Sequence, residues 1–184
     1  MNLCIDPSRI YAAGKSNGGG FVNLLACRED TASILAAFVT ASPALYEGTH
    51  SFSGCDPGRP IPLISFHGLN DTVIPYTGKQ GKQATPDVDT WRAEWAERNG
   101  CPSNGGDLPA PGVSVSVYNG STLNSTWICP SGPVQGYSID GLGHSWPTAL
   151  GLDPSGKKLR FALFNATSPS IVAFLNEHAL PISE

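Results

Sequence analysis

The sequence predicts an α/β layered fold, a single domain spanning residues 1–184 with a mainly parallel sheet flanked by helices. Three observations predict it. Short apolar, β-prone runs alternate along the chain with segments of helical periodicity. One junction is a glycine-rich turn set directly between a strand-like and a helix-like segment. At 184 residues the chain can bury one sizeable core but not comfortably two, and no repeat or linker divides it.

The elements follow in order. Residues 9–13 are apolar and β-prone and lead into the glycine-rich turn, after which residues 20–27 place apolar side chains at helical spacing. Residues 36–42 and 62–68 are apolar runs of the kind buried on both faces of a parallel sheet. Residues 87–99 read as a helix: Asp87 or Asp89 can cap it, Trp91 and Trp95 stand at i and i+4, and Gly100 stops it. Residues 112–118 alternate Val and Ser, as in a strand with one buried face, and residues 134–139 are a further strand. Residues 169–178 carry Ile171, Val172, Phe174 and Leu175 on an amphipathic closing helix. Turn-rich loops fill residues 102–112 and 130–133.

Composition narrows the function classes. The chain is 40% hydrophobic and 14% charged, with a net charge of -4 and no run of Lys or Arg, which argues against nucleic acid or an anionic membrane as partner. No apolar stretch reaches the roughly 18 residues of a membrane span. The first residues lack the basic start and apolar stretch of a signal peptide. Either the protein is cytosolic, or the chain has lost its natural beginning. Its five cysteines favour the second option: none has a zinc-ligand spacing, and no metal or organic cofactor is implied. Sequons at Asn119, Asn124 and Asn165 also favour secretion, each being otherwise an ordinary polar loop. Sequence does not fix the disulfide pairing. The arrangement expected is Cys101 with Cys129, closing the Gly/Pro-rich excursion between them, and Cys27 with Cys55, which leaves Cys4 unpaired.

The chemistry centres on Gly14-Lys15-Ser16-Asn17-Gly18. A G-x-S-x-G pattern between strand and helix is the nucleophile elbow of an α/β-hydrolase, where small residues let the chain turn sharply and expose the serine Oγ above the sheet. By chance the bare pattern is common in glycine-rich sequence; the flanking strand and helix raise its weight. Ser16 is then the nucleophile and the Asn17 backbone N–H an oxyanion donor. A serine hydroxyl needs a base and an orienting acid, which on this fold follow in the order nucleophile, acid, base. Asp71, in the loop after the 62–68 run, is the candidate acid; its bland alternative is a turn-forming Asn-Asp pair. His144, in a glycine-flanked loop after the 134–139 strand, is the candidate base. His178 reads instead as a solvated helix-end residue, and His50 and His67 precede Asp71. Asp140 is an alternative acid, but it shares a strand end with His144. Trp146 is a candidate substrate contact, although tryptophan is equally at home in a core.

With these residues assembled, residues 4–21 resemble the elbow region of secreted fungal feruloyl esterases (type C/D), within the polyhydroxybutyrate depolymerase-like esterase group of the α/β-hydrolase superfamily. Residues 66–76 around Asp71, residues 95–101 and residues 141–147 around His144 extend the resemblance over most of the chain. It implies hydrolysis of ferulate and related hydroxycinnamate esters on plant cell-wall arabinoxylan, with Ser16, Asp71 and His144 as the triad. Acetyl-xylan esterase and polyhydroxybutyrate-type depolymerase are the rivals within this chemistry. A non-catalytic carbohydrate-binding or structural fragment is the rival outside it.

Members of that family carry a region before the elbow, with a signal peptide, the first strands and a His-Gly segment that supplies a second oxyanion donor. In this chain the elbow comes at residue 14, so the resemblance implies an N-terminally truncated, incomplete domain. His67-Gly68 lies after the elbow and does not replace that segment. Two expectations follow. The elbow strand becomes a sheet edge. Loss of one oxyanion donor lowers turnover roughly 100- to 1000-fold.

Overall fold

The computed structural model describes residues 4–48, 54–103, 105–149, 162 and 164–181. Its strands are β1 (Tyr11–Lys15), β2 (Ala37–Ala41), β3 (Leu63–Gly68), β4 (Val113–Val117), β5 (Thr122–Trp127) and β6 (Val134–Ile139). Its α-helices are α1 (Asn17–Ala26), α2 (Glu29–Ala32), α3 (Val88–Arg98) and α4 (Val172–Glu177). One mixed sheet runs in the order β1-β2-β3-β6-β5-β4. The first four strands in that order are parallel; β5 pairs antiparallel to β6, and β4 antiparallel to β5. This is an α/β architecture, mixed rather than uniformly parallel. The elbow strand β1 is terminal in the order, as expected for an edge.

Period-two alternation divides the core between the two faces of the sheet. Phe38, Leu63 and Val134 face one way and pack with Val22 of α1 and Trp91 and Trp95 of α3. Val39, Ile64, Phe66, Tyr137 and Ile139 face the other and pack with Ile171 and Phe174. Both faces of β2 and β3 are covered, which is why their sequences are mostly apolar, broken only by the buried Thr40, Ser65 and His67. Fully burying one such Phe or Leu contributes about 1.5–3 kcal/mol.

A polar tie joins α1 to α3. Asn23 Oδ1, buried, accepts from Trp91 Nε1 at 3.0 Å and from Trp95 Nε1 at 2.9 Å. Asp87 is the residue that caps α3, accepting from Thr90 N–H at 2.9 Å. Asp89 instead pairs with Arg92, whose fully buried guanidinium also donates to Tyr76 Oη, Ser138 Oγ and Tyr137 O. Both expected disulfides, Cys27–Cys55 and Cys101–Cys129, are formed.

The structure departs from the sequence reading in several places. β4 has no buried face: it lies at the edge of the sheet opposite β1, and Val113 and Val115 remain nearly half exposed. β5 and the short α2 have no counterpart among the elements expected from sequence. The closing helix opens as a π-helical segment (Thr167–Ile171) before α4; Val172 points out to solvent while Ile171 and Phe174 turn inward. The sequon residue Asn124 lies within β5 with its amide on the Tyr137 hydroxyl at 3.2 Å, whereas Asn119 is exposed in the β4–β5 turn. Among the described residues, no helix is long and apolar enough to cross a membrane.

Candidate active site

Ser16 alone makes the turn between β1 and α1. It does so at φ 56° and ψ −123°, a backbone state that costs a residue bearing a side chain about 1–3 kcal/mol. Three backbone hydrogen bonds, each 2.9 Å, offset that strain: Ser16 N–H donates to Ala41 O, and Ser16 O accepts from Gly20 N–H and Ala44 N–H. The glycines that the turn requires are Gly14 and Gly19. A Cβ on Gly14 would sit 2.3 Å from Gly18 O, and one on Gly19 would sit 2.9 Å from Pro43 Cα. A Cβ on Gly18, the second glycine of the pattern, would meet nothing within 4 Å. Ser16 thus occupies the N-cap of α1, at the positive end of its dipole.

The loops after β3 and β6 converge on this turn. A Cβ on Gly68 would lie 2.1 Å from Leu142 O, so the bare glycine lets the first loop rest directly on the second. Backbone bonds hold the two together: Leu69 N–H donates to Ile139 O at 2.9 Å and Asn70 N–H to Leu142 O at 3.1 Å. The Asn70 side-chain oxygen also accepts from Gly141 N–H at 2.8 Å. Asp71 follows, buried, its Oδ1 accepting from Val73 and Ile74 N–H at 2.9 Å each. That leaves Oδ2 facing His144 Nδ1 at 2.9 Å, while His144 Nε2 lies 2.7 Å from Ser16 Oγ.

Burial alone would raise the Asp71 pKa. Hydrogen bonds from His144, from His67 and from Ile74 N–H outweigh it and hold the carboxyl well below the usual carboxylate range. An ionised carboxylate only accepts, so His144 Nδ1 carries the proton and donates to Asp71. His144 Nε2 is then bare and accepts from the Ser16 hydroxyl.

The structure therefore brings Ser16, Asp71 and His144 into one hydrogen-bonded row. Asn17 is the first residue of α1, where helix geometry leaves the N–H without an intrahelical acceptor. Trp146 is half-buried and packs against the core cluster that holds Phe66 and Ile139. His178 stands apart from the row and is not simply solvated: half-buried, its Nδ1–H donates to Phe174 O at 2.7 Å. Asp140 is exposed and accepts from Gly141 N–H; the carboxylate on His144 is that of Asp71. His50 lies outside the described residues. Sequence order sets His67 aside, yet it is buried against Asp71, its Nε2 3.5 Å from Oδ2. No local spacing in the sequence points to this contact, since His67 lies in β3 and Asp71 in the loop that follows. Asn70 likewise does more than form half of a turn, since its side chain ties the two loops together.

Known proteins of the same kind are found among fungal enzymes. The chain is 34% identical over 149 residues to feruloyl esterase B of Piromyces equi, covering 77% of this chain and 26% of that protein. It is 30% identical over 151 residues to feruloyl esterase C of Emericella nidulans, covering 82% of this chain and 47% of the relative. A shorter match, 34% over 77 residues, reaches the bifunctional acetylxylan esterase/xylanase XynS20E of Neocallimastix patriciarum, covering 42% of this chain and 10% of that protein. No protein-family model matches. The chain is a relative of carboxylic-ester hydrolases. Within that class it is a homologue of the fungal feruloyl esterases over most of its own length, and it spans half or less of theirs.

Proposed function

We propose that this chain is the catalytic part of a serine carboxylic-ester hydrolase of α/β-hydrolase fold. Its substrates are ferulate and related hydroxycinnamate esters of plant cell-wall arabinoxylan. The observation that carries the reading is the row Ser16 Oγ, His144 and Asp71, with bonds of 2.7 and 2.9 Å. His144 Nε2 takes the Ser16 proton as Oγ attacks the ester carbonyl, and the Asn17 N–H stabilises the developing oxyanion. Collapse expels the alcohol with a proton returned from His144. Water, activated by the same imidazole, then releases the carboxylic acid from Ser16. Asp71, ionised throughout, holds the productive tautomer and stabilises the imidazolium. The substrate class rests on the feruloyl esterase relatives, and Trp146 is the side chain offered to an aromatic acyl group. Secretion fits the two disulfides and the exposed sequon at Asn119.

Acetyl esters of xylan are the second reading, favoured by the bifunctional relative. Hydrolysis of methyl ferulate, 4-nitrophenyl acetate and a 3-hydroxybutyrate ester by wild type and His144→Ala separates the readings. A preference for methyl ferulate, lost in the variant, is expected. A preference for the acetyl ester moves the assignment to the second reading. Correctly folded protein inert toward all three esters would contradict both.

A further inference from the structure

His67 is the penultimate residue of β3, fully buried, and takes no part in moving the Ser16 proton. Its Nε2 stands 2.9 Å from Ile74 O and 3.5 Å from Asp71 Oδ2, the oxygen that accepts the His144 Nδ1–H. Both neighbours are acceptors, so Nε2 carries the proton. Nδ1 is buried and has no partner among the described residues. A bare, desolvated ring nitrogen is a liability that an apolar side chain of similar size would avoid. The imidazole is therefore poorly explained by packing and well explained by its single N–H.

That N–H acts on the turn that aims the acid. Asp71 Oδ1 is fixed by Val73 and Ile74 N–H, and His67 holds Ile74 from its carbonyl side. Tyr76 lies edge-on to the ring at 5.6 Å and limits its rotation. Anchored from both ends, the carboxylate presents Oδ2 to His144, with the His67 N–H as a second and longer donor to the same oxygen.

We infer that His67 is a positioning residue: a permanently buried Nε2–H imidazole that sets the Asp71 turn and, through Asp71, the orientation of His144. The inference rests on the esterase reading above. Nitrogen-15 NMR of histidine-labelled wild-type protein tests the placement without any substrate. His67 is expected as the Nε2–H tautomer, beside a downfield Nδ1–H resonance from His144. A His67 Nδ1–H tautomer overturns the inference.

Two variants then test the action on Ser16, read as the fluorophosphonate labelling rate per folded molecule. His67→Leu fills the space without a donor and is expected to label roughly 10- to 100-fold more slowly, with the downfield resonance lost. His67→Gln offers an amide N–H in place of Nε2–H and is expected to regain most of the rate and the resonance. Wild-type labelling in His67→Leu, or equal slowing in both variants, overturns the inference. If His67→Leu does not fold, the tautomer and the His67→Gln rate decide. If wild type itself is not labelled, the esterase reading falls, and the tautomer alone decides the place of His67.

Discussion

Replacing Gly68 by alanine puts one methyl group between the two loops that carry Asp71 and His144. The new Cβ would lie 2.1 Å from Leu142 O and 2.6 Å from Leu142 C, and ordinary contact begins near 3.4 Å. The loops must therefore part by roughly 1 Å, because both sides of the clash are backbone and neither can rotate away. That movement stretches the Asn70-to-Leu142 bond of 3.1 Å and the Asp71-to-His144 bond of 2.9 Å together. Overpacking of this kind costs about 1–3 kcal/mol. For a chain of this size that lowers Tm by roughly 2–12 °C. A misplacement near 1 Å in the row lowers activity by about 100-fold. Gly18→Ala is the matched control, since its Cβ meets nothing within 4 Å. The assay pairs thermal unfolding with the rate of Ser16 labelling by a fluorophosphonate, at a temperature where both variants are folded. Gly68→Ala labelling at the wild-type rate with unchanged Tm would refute the close-approach argument.

Two other perturbations read different parts of the structure. Asn23→Leu leaves the Trp91 and Trp95 indole N–H groups buried and unpaired, at about 1–3 kcal/mol each, so urea unfolding should show a loss of roughly 2–6 kcal/mol. A loss under about 1 kcal/mol would mean that both indoles find other acceptors. Asp71 has a folded pKa depressed below its unfolded value of about 3.9. The stability it contributes is thus complete above that value and is lost as pH falls through the folded pKa. Tm measured from about pH 6 down to pH 3 should fall more steeply in wild type than in Asp71→Asn; parallel curves would contradict the depressed pKa.

The parallel part of the sheet is legible because β2 and β3, covered on both faces, are written as mostly apolar runs without the alternation of a half-exposed strand. β5 is not, because Thr122–Trp127 is mostly polar and its sequon resembles a loop; ladder bonds to two neighbouring strands override that composition. The candidate positions Ser16, Asp71 and His144 are legible from the G-x-S-x-G pattern, strand-end placement and chain order. What escapes is the set of contacts that bring them together. The clash that excludes a side chain at Gly68 depends on the carbonyl of Leu142, far along the chain, which no local pattern reports. Order also misleads: it removes His67 as a candidate base, and thereby hides a residue packed against the candidate acid. The motif treats its two glycines alike, yet the tight positions are Gly14 and Gly19.

The central claim is that Ser16 is a nucleophile activated by His144. Mass spectrometry of the 184-residue protein after fluorophosphonate treatment tests it most directly. A single adduct on Ser16, absent in Ser16→Ala and strongly slowed in His144→Ala, is the result predicted. Folded wild-type protein that carries no adduct, or carries one at another residue, would contradict it.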